Sequence, residues 1–419
     1  MDQLTDQDAG QSVNIYAIWP YFGVVAAVLV LFSLPLWSFV DEKEKPDAPH
    51  RVASIGGLRG ILTLSVAVHH VVTSYKYHLD GVWGWLPSGF YNQLGEASVS
   101  LFFMVTGYLF WHRLVTEDGR TDFVRLYIGR LFRIAPMYIV VVCLMFAVVA
   151  HRTHWELRVP FGQLVRNVAQ WLSLGIAGSR IPLNGDEHAT LVLAGVTWTI
   201  GYEWAFYAAL PMLFVVARRS IHLPFALLSF YAMLCISRPG LGIPGFAALF
   251  CGGMLSASLV IRGLRATSRT ASLIAIAALT LSIASSPSTY GHSFQIFGLA
   301  VFFAIVSSGN TLFGLLSSRP AERLGNISYS VYLLQGLAIT AMYGLPIVRG
   351  WAFMSPAVYW VSAALCCALL TIGSTFTYVI IERPFMSFGK RLAKGAPSFL
   401  VRRRRSEELR RKPAAASRR

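Results

Sequence analysis

Residues 55–70 read IGGLRGILTLSVAVHH, and this stretch decides what kind of molecule the chain is. No side chain is charged from Gly60 to Val68, yet Arg59 opens the apolar run and His70 closes it. An arginine and a histidine inside or beside a membrane helix are costly, so each needs a partner or a task. The two are 11 residues apart. On an α-helix that is about three turns, which leaves them on nearly one face and roughly 16 Å apart along the axis. A cation near one membrane surface and a titratable imidazole deep on the same stripe fit a long anionic substrate. Its charged end would rest on Arg59 and its reactive end near His70.

The rest of the chain supports a membrane reading. Of 419 residues 55% are hydrophobic and only 13% are charged. Soluble proteins carry roughly twice that charged fraction. Apolar runs of spanning length are expected at about 17–40, 60–77, 96–112, 134–150, 197–217, 221–237, 244–261, 271–286, 293–308, 327–344 and 357–381. The fold class is therefore all-α, a polytopic transmembrane helical bundle with about ten core spans plus one extra N-terminal span. The domain plan is an extra span and linker at 1–50, a membrane domain at 51–388 and a basic tail at 389–419. That tail accounts for much of the +16 net charge. It points to anionic lipid at a cytoplasmic surface rather than to nucleic acid.

Charge asymmetry orients the bundle. Arg113, Arg120, Arg125, Arg130, Arg133, Arg218, Arg219, Arg262, Arg265, Arg269, Arg319 and Arg323 gather on one set of loops, with the basic tail. The positive-inside rule places that set in the cytoplasm, the C-terminus with it, and the N-terminus outside. Among outer segments, 78–95 is rich in Trp, Gly and Tyr and reads either as an interfacial belt or as a sugar-binding rim. Residues 161–175 read as an amphipathic interfacial segment and 178–195 as a polar outer loop. Cys143, Cys235, Cys251, Cys366 and Cys367 all fall in apolar runs without metal-site spacing, and read as packing residues. No metal site is expected.

Several side chains carry candidate chemistry. A neutral His70 can take a proton from a hydroxyl. His69 points about 100° away around the helix and reads as structural. Gly56, Gly57 and Gly60 argue for close backbone approach around Arg59. Arg130 and Arg133, three apart in RLYIGRLFRIAP, share a helix face and read as a phosphate clamp or as plain positive-inside bias. In TWTIGYEWAFYAALP, Glu203 and Tyr207 are i, i+4 neighbours in apolar surroundings. Glu203 is either functional, with His70 or an arginine as partner, or half of an interhelical salt bridge.

In order along the chain, these segments resemble the acyltransferase 3 family of bacterial membrane acyltransferases, over about residues 54–386. GGLRGILTLSVAVHH is similar to the family's Leu-Asp-Gly-Leu-Arg start, which runs on through ten residues to a histidine. FFMVTGYLF, RLFRIAPMY, TWTIGYEWAFYAALP, ISYSVYLLQ and IERPF resemble its later stretches. The chain departs from the pattern at Gly56 (usually Asp), Thr106 (usually Ser), Trp204 (often acidic) and Gln335 (commonly His).

The resemblance implies acyl transfer, most often of acetyl, from cytoplasmic acyl-CoA to a hydroxyl of a polysaccharide, lipid-linked sugar or glycoside. The setting would be a bacterial inner membrane. His70 and Glu203 would be catalytic. Arg59, Arg130, Arg133, Tyr138, Trp198 and Tyr207 would contact substrate or acyl-CoA, with acetyl-CoA as co-substrate. The rival reading is a transporter or flippase of lipid-linked sugars, which would use the same buried charges to gate a path.

Overall fold

The computed structural model describes residues 14–41, 53–118, 120–178, 180–239 and 242–395. The 42–52 linker and the tail beyond 395 lie outside the described residues. Within them the chain is helical throughout, with a single isolated bridge, Leu183 to Asp186, outside the helices. In chain order the helices are α1 (Trp19–Ser33), α2 (Ala53–Asp80), α3 (Gly89–Glu117), α4 (Phe123–Arg152) and α5 (Phe161–Leu172). There follow α6 (Trp198–Val216), α7 (His222–Ile236), α8 (Gly242–Ile261), α9 (Arg269–Ser285) and α10 (Ser293–Ser307). The last are α11 (Arg319–Asn326), α12 (Ser328–Gly344), α13 (Pro346–Ala352), α14 (Pro356–Thr377) and α15 (Arg383–Gly395).

Six helices are long and apolar enough to cross a membrane: α2, α3, α4, α6, α8 and the unbroken 40-residue rod from α14 through α15. Four of the expected spans are helices shorter than that: α1, α7, α9 and α10. The expected span at 327–344 is α12, followed by α13 after an 89° bend. Pro346 explains the turn, because a proline pushes the residue before it into extended backbone, and Leu345 has ψ 118. The expected run at 17–40 breaks for the same reason: Leu34 is extended and Pro35 starts a separate 3-10 turn. Large apolar side chains such as Met212, Leu228, Ile243 and Ile380 point outward from the bundle. In water such a surface would be an aggregation site; in hydrocarbon it is the expected exterior.

Helix α2 is buried over most of its surface from Ser54 to Ser74. It joins two hydrophobic clusters. Leu58, Leu62 and Val66 pack with α3, α4, α6, α8 and α10. Leu64, Val68, Val71 and Val72 pack with α1, α12 and α14. Tight backbone contacts fix the frame. A methyl on Gly253 of α8 would strike the Met104 carbonyl of α3, and one on Gly107 would strike the Phe250 carbonyl in return. Small residues of this kind let membrane helices approach closely.

Two of the segments expected on the outer side differ in character. Residues 161–172 do form an amphipathic helix, with Phe161 and Val165 exposed and Trp171 buried. The 178–195 segment is not a wholly polar loop. Its apolar end turns inward as a short 3-10 helix, Ala189–Leu193, whose Ala189, Val192 and Leu193 have 0% exposure. Gly336 of α12 leaves room for the Leu193 backbone.

The N-terminal helix is anchored by one arginine. Arg323 of α11 donates from Nε and Nη2 to the two Asp41 oxygens at 2.7 and 2.9 Å. From Nη1 it donates to the Phe32 and Leu34 carbonyls at 2.8 and 2.9 Å. Those carbonyls belong to the C-terminal turn of α1, where the helix has run out of its own donors. The guanidinium also holds the Asp41 carboxyl below its usual value of 3.8.

Replacing Arg323 with Ala should therefore lower stability by about 2 kcal/mol, read as thermal melting in detergent. Asp41→Asn should cost less, since Asp41 is partly exposed. A depressed carboxylate stabilises the fold above its unfolded-state pKa and loses that contribution as pH falls through the folded-state value. The melting curves of the wild type and Asp41→Asn should thus converge in acid. An Arg323→Ala protein that melts with the wild type would refute the anchor.

Candidate active site

The first turns of α2 lie flush against α11 and against the 3-10 turn, Leu315–Ser317, that precedes it. A methyl on Gly57 would meet the Leu316 carbonyl, one on Gly60 the Ala321 carbonyl, and one on Gly325 the Gly56 carbonyl. A side chain longer than glycine would push the two helices apart. This contact delivers Arg59 to the start of α12, where its Nη2 donates to Ser328 Oγ at 2.8 Å. Arg130 and Arg133 come from one face of α4, as their spacing requires. The Arg130 guanidinium lies over the Phe110 ring, 4.6 Å from its centroid, a cation–π contact that tolerates little water.

Arg59, Arg130 and Arg133 all line two different cavities. One is a polar vestibule whose walls add Arg113, Arg125, Lys390 and the buried Glu382. The other is a chamber walled by Phe102, Phe103, Thr106, Glu203, Tyr207, Tyr329 and Tyr332. A basic compartment and an aromatic compartment thus share a threshold of arginines.

Fixed hydrogen bonds shape the chamber wall. Tyr207 Oη donates to Glu203 Oε2 at 2.9 Å. Tyr329 Oη donates to the Ile134 carbonyl at 2.9 Å, pinning α12 to α4. Tyr332 Oη donates to the Val196 carbonyl at 3.1 Å and lies 3.0 Å from Thr199 Oγ1. Behind the vestibule wall, the buried Ser330 Oγ donates to Glu382 and accepts from Thr377 Oγ1 at 3.1 Å. Glu382 sits in a π-helical turn, Tyr378–Glu382. Such widened turns recur at functional sites.

His70 lies farther along α2, in neither of these cavities. Its Nδ1 is 3.2 Å from Gln335 Oε1, and Trp83 stacks on its ring with centroids 6.0 Å apart and planes 18° apart. Helices α2 and α12 run in the same direction, with Arg59 on Ser328 and His70 on Gln335. Gln335 is one turn beyond Tyr332, so the histidine stands just past the chamber's end wall. His69 faces away, its Nδ1 bonded to the Tyr91 carbonyl at 2.7 Å, and packs against Gly95 of α3.

The structure thus gathers Arg59, Arg130, Arg133, Glu203 and Tyr207 into one space. It does not bring Tyr138 or Trp198 to either cavity. Tyr138 is fully buried and donates to the Trp171 carbonyl at 2.8 Å, docking α5 on α4. Trp198 packs among Phe103, Tyr202, Phe246 and Tyr290.

Ser328, Tyr329, Tyr332, Gln335 and Glu382 belong to the site region although the sequence reading gave them no role. A signal was present. Ser328, Tyr332 and Gln335 follow the 4-then-3 spacing of one polar stripe in an apolar helix, and Glu382 is a lone carboxylate ending a long apolar run.

A family model described as an acyltransferase domain, that of the acyltransferase 3 family, matches residues 52–379. No curated protein and no solved structure matches the chain.

The vestibule's polar lattice can be tested alone. Ser330→Ala leaves the buried Glu382 without its hydroxyl donor, which should cost about 1–3 kcal/mol. Thr377→Val removes only the outer member of the chain and should cost about 1 kcal/mol or less. Detergent melting curves that rank the two variants in the opposite order would contradict the arrangement.

Proposed function

The chain belongs to the acyltransferase 3 family, and from that membership we propose that it moves an acyl group, acetyl by preference, from cytoplasmic acyl-CoA to a sugar hydroxyl. The acceptor is a cell-surface polysaccharide, lipid-linked sugar or glycoside. The observation that carries the donor assignment is the arginine threshold between a basic vestibule and an aromatic chamber. Acyl-CoA has the matching form: a phosphate-rich head, a long slender arm and an uncharged thioester. Arginine forks suit the phosphates, and the aromatic walls suit the arm. The vestibule then faces the cytoplasm of a bacterial inner membrane, with the C-terminus on that side and the N-terminus outside.

In this reading, His70 accepts the proton of the acceptor hydroxyl as its oxygen attacks the thioester carbonyl. The new C–O bond forms and the C–S bond breaks. The departing thiolate takes the proton back from the imidazolium, leaving an ester and free CoA thiol. Glu203 lies among the three arginines and moderates their charge. Trp83 and the Trp- and Tyr-rich outer segment around it offer flat apolar faces to a sugar.

Turnover tests the proposal: thiol release from acetyl-CoA by purified protein, with and without membrane glycolipid. His70→Ala should reduce acceptor-dependent release by about 10²–10⁴-fold while leaving CoA binding intact. Arg133→Ala should instead weaken CoA binding, roughly 10- to 100-fold for one lost charge-assisted contact of about 1.5–3 kcal/mol. No thiol release and no CoA-dependent thermal shift in a folded sample would favour a transporter of lipid-linked sugars.

A further inference from the structure

The polar partner of His70 is unusual for what it cannot do. Gln335 has 0% exposure and makes two hydrogen bonds. Its Nε2 donates to the Tyr332 carbonyl at 2.9 Å. Its Oε1 lies 3.2 Å from His70 Nδ1. A glutamine amide can be turned end for end, but here the surroundings decide the matter. The Tyr332 carbonyl can only accept, so the NH₂ end must face it. The carbonyl end of the amide therefore faces the imidazole, and it too can only accept. If Nδ1 carried no hydrogen, lone pairs would confront each other in a buried place, at the cost of an unsatisfied polar group.

We propose that Gln335 is a positioning residue that locks His70 in the Nδ1–H tautomer, so that Nε2 is the nitrogen that exchanges protons. The inference rests on the proposed role of His70 and deepens it by naming the reacting atom. Nδ1–H stays bonded to Gln335 Oε1 in both the neutral and the protonated ring. The acceptor hydroxyl's proton then arrives at Nε2, and the thiolate collects it from Nε2. The ring plane is held from one side by Trp83 and at the edge by Gln335. A half-turn of the imidazole, which would put Cδ2 in the place of Nδ1, is opposed by both. The device is uncharged: an amide fixes the tautomer without placing a buried anion behind the ring, so the chain positions its base without strengthening it.

Nitrogen NMR of ¹⁵N-histidine-labelled protein in detergent tests this directly, the His70 signals being assigned by their loss in His70→Gln. In the wild type, Nδ1 should carry the proton and Nε2 should have the shift of an unprotonated imidazole nitrogen. Gln335→Leu should give a mixture of tautomers and lower kcat by about 10²-fold, with KM for acetyl-CoA changed less than about twofold because the arginine threshold is untouched. Gln335→Glu keeps an acceptor oxygen toward Nδ1 and should retain the wild-type tautomer. Melting curves establish that both variants fold. An Nε2–H tautomer in the wild type, or a Gln335→Leu protein with unaltered tautomer and kcat, would overturn the proposal. Because the tautomer is read without turnover, its failure is separable from that of the catalytic reading, which falls if His70→Ala still transfers acyl groups.

Discussion

Arg59, Arg130 and Arg133 stand together inside an apolar bundle, and the architecture answers to the cost of keeping them there. A buried ion loses its hydration, and in a protein this is offset only by partners placed in advance. Arg59 and Arg130 each have such a partner. Ser328 accepts from Arg59, and the Phe110 face lies under Arg130. Glu203 and Glu382 add negative charge on the chamber and vestibule sides. The two carboxylates do not cancel three cations; in the vestibule wall Arg113 and Arg125 are paired with Glu117 and Asp122, and Lys390 adds a further positive charge. An electropositive funnel of this kind draws in and holds anions.

That constraint explains why α12 is the most heavily cross-linked helix near the site. Within eight residues it contacts Arg59 through Ser328, α4 through Tyr329, the π-turn through Ser330, the 196–199 segment through Tyr332 and His70 through Gln335. These bonds leave from different faces of one cylinder, so α12 acts as the common reference against which α2, α4, α6 and α14 are set. In an apolar medium, helix contacts gain little from the hydrophobic effect, and specific position comes from small residues and from such polar links. The glycines of α2 and α11 serve the same end by removing the slack that a side chain would introduce.

The sequence revealed much of this because charge is conspicuous in an apolar background. Arg59, Arg130, Arg133, Glu203 and Tyr207 were legible as single polar residues at helical spacing, and the structure brings them into one chamber. Periodicity located the helices but not their lengths, since it does not register where Pro35 or Pro346 changes the backbone. It also could not separate packing from lining. Tyr138 lies in the same motif as the clamp arginines, yet its hydroxyl is spent on the Trp171 carbonyl. Trp198 precedes Glu203 on the same helix, but turns into an aromatic cluster. Conversely, Gln335 reads in sequence as a loss of the histidine common at that position. Only its contacts reveal that the amide bonds the remaining histidine.

The placement of that histidine bears on how a single bundle can serve two solvents. His70 is bonded to Gln335, one turn past Tyr332 on α12, and lies outside the chamber that holds the arginines, with Trp83 on its ring. A base lining the vestibule would stand open to cytoplasmic water, which is itself an acceptor for the thioester. On the proposed reading, the place of His70 past Tyr332 would set the base apart from that water and nearer the segment that carries Trp83. The arginine threshold and the tyrosine wall would then divide the work: the first retains the charged head on one side, and the second admits only a slender, uncharged arm. On that same reading, hydrolysis would be limited by where the base stands rather than by its strength, in keeping with a histidine backed by a neutral amide instead of a carboxylate.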